Sequence, residues 1–320
     1  MRSSPYIVAE ASCNHLGNPF NALRLIEAAK DAGADSVKFQ CWAEDKMVLG
    51  SHTISGSTWS GQDMRALYRE AWTPWEWFPA LFEYAKDIGI ECFASVFDHE
   101  SLAFLEGLGC PRYKIASFEI VDLPLIEAVA KTGKPMVLST GTATWDDISA
   151  AWTKAGNATW LKCTSAYPAG AADANLATMR RLFDRYGVSD HTLGLAVPVA
   201  ATALGATMIE KHLTLSRADG GPDAAFSSEP HEFKAMVGAC REAAAAIGEV
   251  RYGPTEAELP SLQFRRSLYW AKDIEAGELI TREHLRTARP ALGLPPKAMY
   301  DLIGKTAKHG AKQYEPVTAD

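Results

Sequence analysis

Short apolar runs alternate with amphipathic stretches along residues 5–247. The runs are β-rich and predict eight strands: Tyr6–Glu10, Ser36–Gln40, Glu91–Ser95, Tyr113–Ser117, Met136–Thr140, Thr159–Thr164, Tyr186–His191 and Met208–His212. Between them, Ala22–Ala32, Ser101–Leu108, Leu125–Thr132, Leu176–Arg185 and the stretch near Val197–Leu204 read as helices, most with apolar residues at i, i+3, i+4 spacing. Ala243–Ile247 reads as a further helix. Gly33, Gly109, Gly133 and Gly187 stand where helix C-caps are expected. Eight strand–helix units in this length predict a (β/α)₈ TIM barrel. The alternative is a doubly wound open sheet, but no GxGxxG opens a helix.

One insertion breaks the rhythm, between Trp42 and Pro74, and it contains GSHTISGSTWSG. After the second strand of a barrel, such a loop sits at the mouth as a lid or mobile insertion. In TPWEW, Trp75 and Trp77 read as helix-start packing, with Thr73 as N-cap and Pro74 at N1. From residue 248 the pattern changes. Residues 248–264 are rich in Pro and Gly and read as a linker. Residues 265–320 give short β-like pieces, Ser267–Lys272 and Glu278–Ile280, and predict a small β-rich domain with little core of its own. The barrel domain is then 1–247.

Composition narrows the partners. The 320 residues are 47% hydrophobic and 22% charged, as in ordinary globular proteins, and carry a net charge of −7 without a basic run. That argues against nucleic acid. The start, MRSSPYIVAE, lacks a secretory signal pattern, and no apolar run reaches the roughly 20 residues of a membrane span. The six cysteines form no CxxC pair. A cytoplasmic protein with reduced thiols is expected.

Catalytic groups of a barrel sit at the C-terminal strand ends. Here those ends carry Glu10, Lys38, Ser95, Lys114, Ser117, Glu119, Ser139, Thr140, Thr164, Ser165, Tyr167, His191 and His212. Lys38 and Lys114 are two cations able to hold a phosphate or carboxylate, helped by the hydroxyls of Ser117, Ser139 and Ser189. The plainer reading is solvated lysines or a structural ion pair. His191 and His212 end the last two strands, and two imidazoles converging there suit a divalent metal. Asp190 or Glu210 could orient one ring. NHLG (Asn14–Gly17) and GGPD (Gly220–Asp223) read as turns.

The ordered pieces AEASCNH, AGADSVKFQ, FDHESLAFLEGLGCPRYKIASFEI, TGKPMVLSTGTAT, CTSAYPA, SDHTLG, ALGATMIEKHLTL and GGPDAAFSSEPHEF resemble the sialic acid synthase family along nearly the whole chain. The tail, RRSLYWAKDIEAGELIT with ARPALGL and LIGKTA, resembles that family's antifreeze-like (SAF) domain. The resemblance implies condensation of phosphoenolpyruvate with an open-chain N-acetylated amino sugar, giving a nine-carbon sugar acid and phosphate. It makes His191 and His212 ligands of Mn2+ or Mg2+. Lys38, Lys114, Ser117, Ser139 and Ser189 would grip phosphoenolpyruvate. Glu10 would lie near the sugar aldehyde, with Glu119 and Tyr167 in the same pocket, and Ser95 and Ser165 are assigned to substrate binding. Arg289 would reach the partner's barrel in a domain-swapped homodimer.

Within the family, TPWEW, GGPDAAFS and RRSLY look most like the pseudaminic acid synthase branch, whose substrate is a diacetamido-trideoxy hexose. N-acetylneuraminate synthesis from N-acetylmannosamine is the alternative. Three pieces depart from the family pattern: ASVFD for STPFD, STGTAT for STGMAT, and RPA for RPG. More distant readings are a Schiff-base aldolase using a strand-end lysine, which the paired histidines argue against, and a non-catalytic carbohydrate-binding protein, which the full set of strand-end groups argues against.

Overall fold

Parallel strands covered on both faces need apolar side chains on the outer face and whatever fits the barrel interior on the other. That is the pattern of the eight strands in the computed structural model, which describes residues 4–43 and 46–319. The strands are β1 (Tyr6–Glu10), β2 (Ser36–Cys41), β3 (Glu91–Val96), β4 (Tyr113–Ile115), β5 (Met136–Ser139), β6 (Thr159–Cys163), β7 (Tyr186–Asp190) and β8 (Met208–His212). They pair in parallel, in sequence order, and β8 closes on β1 with Glu10 opposite His212. The barrel is therefore closed, and the open-sheet alternative is excluded.

The surrounding helices are α1 (Pro19–Asp31), α2 (Met64–Glu70), α3 (Phe78–Ile88), α4 (His99–Gly107), α5 (Leu123–Lys131), α6 (Trp145–Ala155), α7 (Ala196–Ala203) and α8 (Pro230–Ile247). Local chemistry starts several of them. Asn18 caps α1, Asp98 and Ser101 form a capping box on α4, and Thr144 with Asp147 does the same on α6. The apolar faces of these helices bury against Val37, Phe39, Ala94, Ile115 and Leu138 on the outer faces of the strands.

Four local expectations are corrected. Leu176–Arg185 is not an α-helix: Leu176–Arg181 is a run of 3₁₀ turns that follows Asn175 in the left-handed region (φ 44°). Gly187 is not a cap but lies within β7. A Cβ there would stand 2.0 Å from the Met208 carbonyl oxygen, so only glycine lets β7 approach β8. Thr73 is not the N-cap. Pro74 precedes a 3₁₀ turn at Trp75–Trp77, and the Thr73 hydroxyl pairs with His15 Nε2 at 3.0 Å. Glu278–Ile280 forms no strand and contributes one bridge, Leu279 to Thr306.

The chain divides into two units, Met1–Glu249 and Val250–Asp320. The second holds an antiparallel pair, β9 (Ser267–Trp270) and β10 (Leu285–Ala288), a short helix α9 (Met299–Leu302), and a small core of Leu268, Trp270, Ile274, Ile280, Leu285, Ala307 and Val317. Residues Glu256–Phe264, within the stretch read as linker, form 3₁₀ turns opened by a Thr255–Glu258 capping box. The Gln263 carbonyl accepts from Ala291 N, which ties this stretch to the second unit. Among the described residues, no helix is long and apolar enough to cross a membrane.

Candidate active site

Side chains alternate between the two faces of a strand, so Lys38 and Gln40 on β2 share the interior face, as do Ser189 on β7 and Glu210 with His212 on β8. The result is a buried charge cluster. Lys38 and Lys114 are 3% and 2% exposed, which excludes the solvated reading. Lys38 Nζ lies 2.5 Å from Glu10 Oε2 and donates to Ser95 Oγ at 2.9 Å. Glu210 is shared: Lys114 Nζ is 3.3 Å from its Oε1, Lys38 Nζ is 3.8 Å from its Oε2, and Ser189 Oγ donates to Oε1 at 2.8 Å. Gln40 Nε2 donates to the remaining Glu10 oxygen at 2.9 Å.

The two carboxylates therefore balance the two ammonium groups, as isolated buried charges would be prohibitive. Burial would raise the Glu210 pKa, but Lys114 and Lys38 outweigh it and hold the carboxyl near about 2. Burial would lower Lys38, but Glu10 and Glu210 keep it raised. Lys114 is lowered, chiefly by burial. Glu10 is raised by burial against the pull of Lys38.

Above this cluster the histidines converge, with ring centroids of His191 and His212 5.2 Å apart. His191 Nδ1–H donates to the Thr164 carbonyl at 3.0 Å, which leaves Nε2 for another partner. His212 is held neutral by burial and by His191, and its buried Nδ1 has no hydrogen-bond partner among the described residues. Asp223 Oδ2 is 3.6 Å from that nitrogen and accepts from Ser12 Oγ at 2.6 Å. Neither Asp190 nor Glu210 orients a ring: Asp190 is bound to Lys211 at 2.6 Å and to Thr192, and Glu210 belongs to the lysine cluster. Among the described residues, no group of three or more His, Cys, Asp or Glu could by itself hold a metal ion. The donor set is two imidazole nitrogens, one of them orphaned. It fits a divalent ion whose remaining ligands are water or substrate.

A cavity of about 370 Å³ opens onto His212. Of the residues singled out in the sequence, Ser117, Glu119, Ser165, Tyr167 and His212 line it directly. Lys38, Lys114, Glu10, Ser95, Ser139, Ser189 and His191 form the buried set around the cluster and the second imidazole. The Ser139 hydroxyl is buried with no hydrogen-bond partner among the described residues, and Ser117 Oγ accepts from Gly141 N at 3.2 Å. A Cβ on Gly141 would stand 2.1 Å from Ser165 Oγ, so a glycine is needed for these hydroxyls to crowd together. Glu119 is raised by burial to about 7, and its Oε2 is buried without a hydrogen-bond partner among the described residues. Tyr167 packs on His191 with ring centroids 4.4 Å apart. Arg289 lies exposed in the second unit.

Some site residues escaped the sequence reading. NHLG and GGPD are more than turns: Asn14 Nδ2 donates to the Leu213 carbonyl and to Ser227 Oγ, and Asp223 stands beside His212. Gln40 and Cys163 were also missed. Burial would raise the Cys163 thiol, but His191 at 3.8 Å outweighs it and brings the pKa to about 7. Residues 54–71 of the insertion roof the cavity. Trp59 Nε1 donates to the Pro222 carbonyl at 2.9 Å, and the Thr58 hydroxyl donates to the Tyr167 carbonyl.

Comparison with known proteins places this arrangement. Residues 25–252 match the NeuB family and residues 265–320 the SAF domain. The chain is 42% identical to a pseudaminic acid synthase of Helicobacter pylori, over 100% of this chain and 98% of the relative. It is 35% identical to an N,N'-diacetyllegionaminic acid synthase of Legionella pneumophila, over 93% and 89%. Among solved structures, an N-acetylneuraminic acid synthetase from Leptospira borgpetersenii superposes with a TM-score of 0.73 at 32% identity, covering 82% of this chain and 92% of that one. With a family match across most of the barrel and relatives aligned end to end, this chain belongs to the NeuB family.

Proposed function

We propose that this chain is a phosphoenolpyruvate-dependent nonulosonic acid synthase of the pseudaminic acid branch. It is a transferase that joins C3 of phosphoenolpyruvate to the aldehyde carbon of an open-chain acetamido sugar. The observation that carries this reading is the pair of buried lysines beneath a sugar-sized cavity. Lys38 and Lys114 are preorganised cations for the phosphate and carboxylate, and they need no rearrangement of solvent as charge moves. Ser95, Ser117, Ser139, Ser165 and Ser189 supply neutral donors around them.

In the reaction, the new carbon–carbon bond leaves a cationic C2. Water adds there and gives up one proton to a base. The C2–O bond to phosphate breaks as phosphate departs with the bridging oxygen, while the C2 hydroxyl loses its proton and becomes the 2-keto group. The aldehyde oxygen takes up a proton and becomes a hydroxyl. Glu119, titrating near neutrality and lining the cavity, suits that proton transfer. Glu10 is a base near the same carbon, and Tyr167 walls the site. His191 and His212 would hold Mn2+ or Mg2+, which when bound supplies Lewis acidity toward the aldehyde oxygen. Residues 265–320 would act in a domain-swapped homodimer, with Arg289 reaching the partner's site, joined to the 1–247 barrel through 248–264. The cytoplasm is the compartment in which phosphoenolpyruvate is available.

Incubation with phosphoenolpyruvate and a panel of amino sugars, with mass detection of product, tests the function. Phosphoenolpyruvate carrying oxygen-18 at the bridging position should pass its label to phosphate. Unlabelled phosphate would mean phosphorus–oxygen cleavage and would overturn the mechanism.

A further inference from the structure

Each barrel strand has an outer face that lies against helices, and apolar side chains fill such positions at least cost. Ala9, Phe39, Ala94, Ile115 and Leu138 do so here. β7 and β8 depart from this near their C-terminal ends. Side chains alternate along a strand, so with Ser189 and Glu210 turned to the interior, Asp190 and Lys211 face outward. They stand opposite each other in the register of the two strands. Both are buried, Lys211 at 1% exposure and Asp190 at 3%.

The bonds of this pair run around His191. Lys211 Nζ donates to Asp190 Oδ2 at 2.6 Å and also to the Thr192 carbonyl. Thr192 returns two bonds to the Asp190 carboxylate, from its N–H at 3.0 Å and from its hydroxyl at 3.1 Å. One ammonium group, carried by the residue before His212, therefore grips the residues on both sides of His191. The Ala169 N–H adds a further tie, donating to the His191 carbonyl at 3.0 Å. The backbone that carries one imidazole is thus fastened to the backbone that carries the other.

As support for the fold alone, this arrangement is a poor choice. Two buried charges lose their hydration, and an apolar pair of similar volume is often as stable or more so. What an apolar pair lacks is direction. It cannot fix residues 190 and 192 against residue 211, as bonds to an ammonium group do. Among the described residues, no third protein ligand would correct a change in the separation of the two imidazoles.

We infer that Asp190 and Lys211 are positioning residues for the metal. From the outer face of the barrel they set the separation of His191 and His212, acting through the backbone and not on the rings. The inference rests on the synthase reading above, with the histidines as its metal ligands. It deepens that reading by naming the residues that hold the ligands in place.

Calorimetric titration of Mn2+ into the metal-free full chain tests this, alongside the denaturant midpoint of the same chain. Lys211→Met alone strands a buried carboxylate and should cost stability whatever the role of the pair. The deciding variant combines Asp190→Asn with Lys211→Met, which removes both charges and leaves an amide to meet Thr192. Its midpoint should equal or exceed that of wild type, while its Kd for Mn2+ rises roughly 10- to 100-fold. A merely structural pair gives the reverse, a lower midpoint and wild-type affinity in the folded chain. Either of those results, or a double variant that does not fold, would overturn the inference and leave the metal role of the histidines standing. A wild-type chain that binds no Mn2+, or binds it as tightly after His212→Ala, would remove that role and the inference with it. Phosphate release by the wild-type chain reports separately on the synthase reading.

Discussion

The Glu210 carboxylate lies 3.3 Å from the Lys114 ammonium, in a part of the barrel interior where both side chains are at least 94% buried. Removing one member of such a set leaves an uncompensated buried charge. Glu210→Gln should therefore destabilise the fold by about 3–5 kcal/mol, read from denaturant midpoints. The pH dependence has a defined sign. The Glu210 pKa falls from the usual 4.5 to about 2, so its contribution is complete above about 4.5 and is lost as pH drops toward 2. The variant should show a flatter loss of stability across that window, and an unaltered acid limb would contradict the assignment.

The same cluster shows what could be read from the chain beforehand. Its lysines, histidines and Glu10 were legible because an ionisable residue inside an apolar strand run has few bland explanations. The eight strands were legible for a related reason, since strands buried on both faces read as nearly continuous apolar runs. Asn14 and Asp223 were not legible. They sit in short polar loops that look like turns, and become site residues only when β1 closes on β8 and brings positions 12 and 223 into contact. Gly187 was misread because a close backbone approach between strands leaves the same letter as a helix cap. Leu176–Arg181 has the apolar spacing of a helix, but the chain enters it from a left-handed residue and never settles into α geometry.

Glu119 should set the alkaline limb of the rate profile. Burial raises it to about 7, so the protonated form that can donate to the aldehyde oxygen is depleted as pH rises through neutrality. kcat/KM for the sugar should fall above about pH 7, and Glu119→Gln should abolish that limb while lowering the rate by roughly 10²–10⁴. Stability moves in the same direction. A carboxyl with a raised folded pKa is destabilising once ionised, so its cost appears between about 4.5 and 7 as pH increases. A variant that keeps the alkaline limb would assign it to another group.

Among the described residues, His191 and His212 bring two imidazoles together without a third protein ligand, so either substitution should be enough to empty the site. His191→Ala and His212→Ala should each lower metal content, measured by elemental analysis, to near zero. EDTA should abolish turnover of the unaltered chain, and Mn2+ or Mg2+ should restore it. Full activity in a metal-free preparation would remove this role from the histidines. It would also revive a lysine Schiff base, which borohydride trapping on Lys38 or Lys114 would then test.

The second unit should serve catalysis across a dimer. Its apolar core is small, seven buried residues around β9 and β10, which is little for a domain that must stand alone. Residues 256–264 are tied to it by the Gln263–Ala291 hydrogen bond, so the connection between the units narrows to residues 250–255. Extended, that stretch spans roughly 20 Å, enough to reach an adjacent subunit. A site holding an electron-rich enol and a reactive aldehyde must control water, and a neighbouring domain can cover it. Arg289 is exposed on this unit and would supply a cation or donor to the sugar's acyl group. Lys114→Ala and Arg289→Ala should each be inactive alone. Mixed under conditions that exchange subunits, they should recover part of the wild-type rate, because one barrel of the mixed dimer then receives both intact residues. If heterodimers form, as shown by differentially tagged chains, and no activity returns, Arg289 acts on its own barrel or not at all.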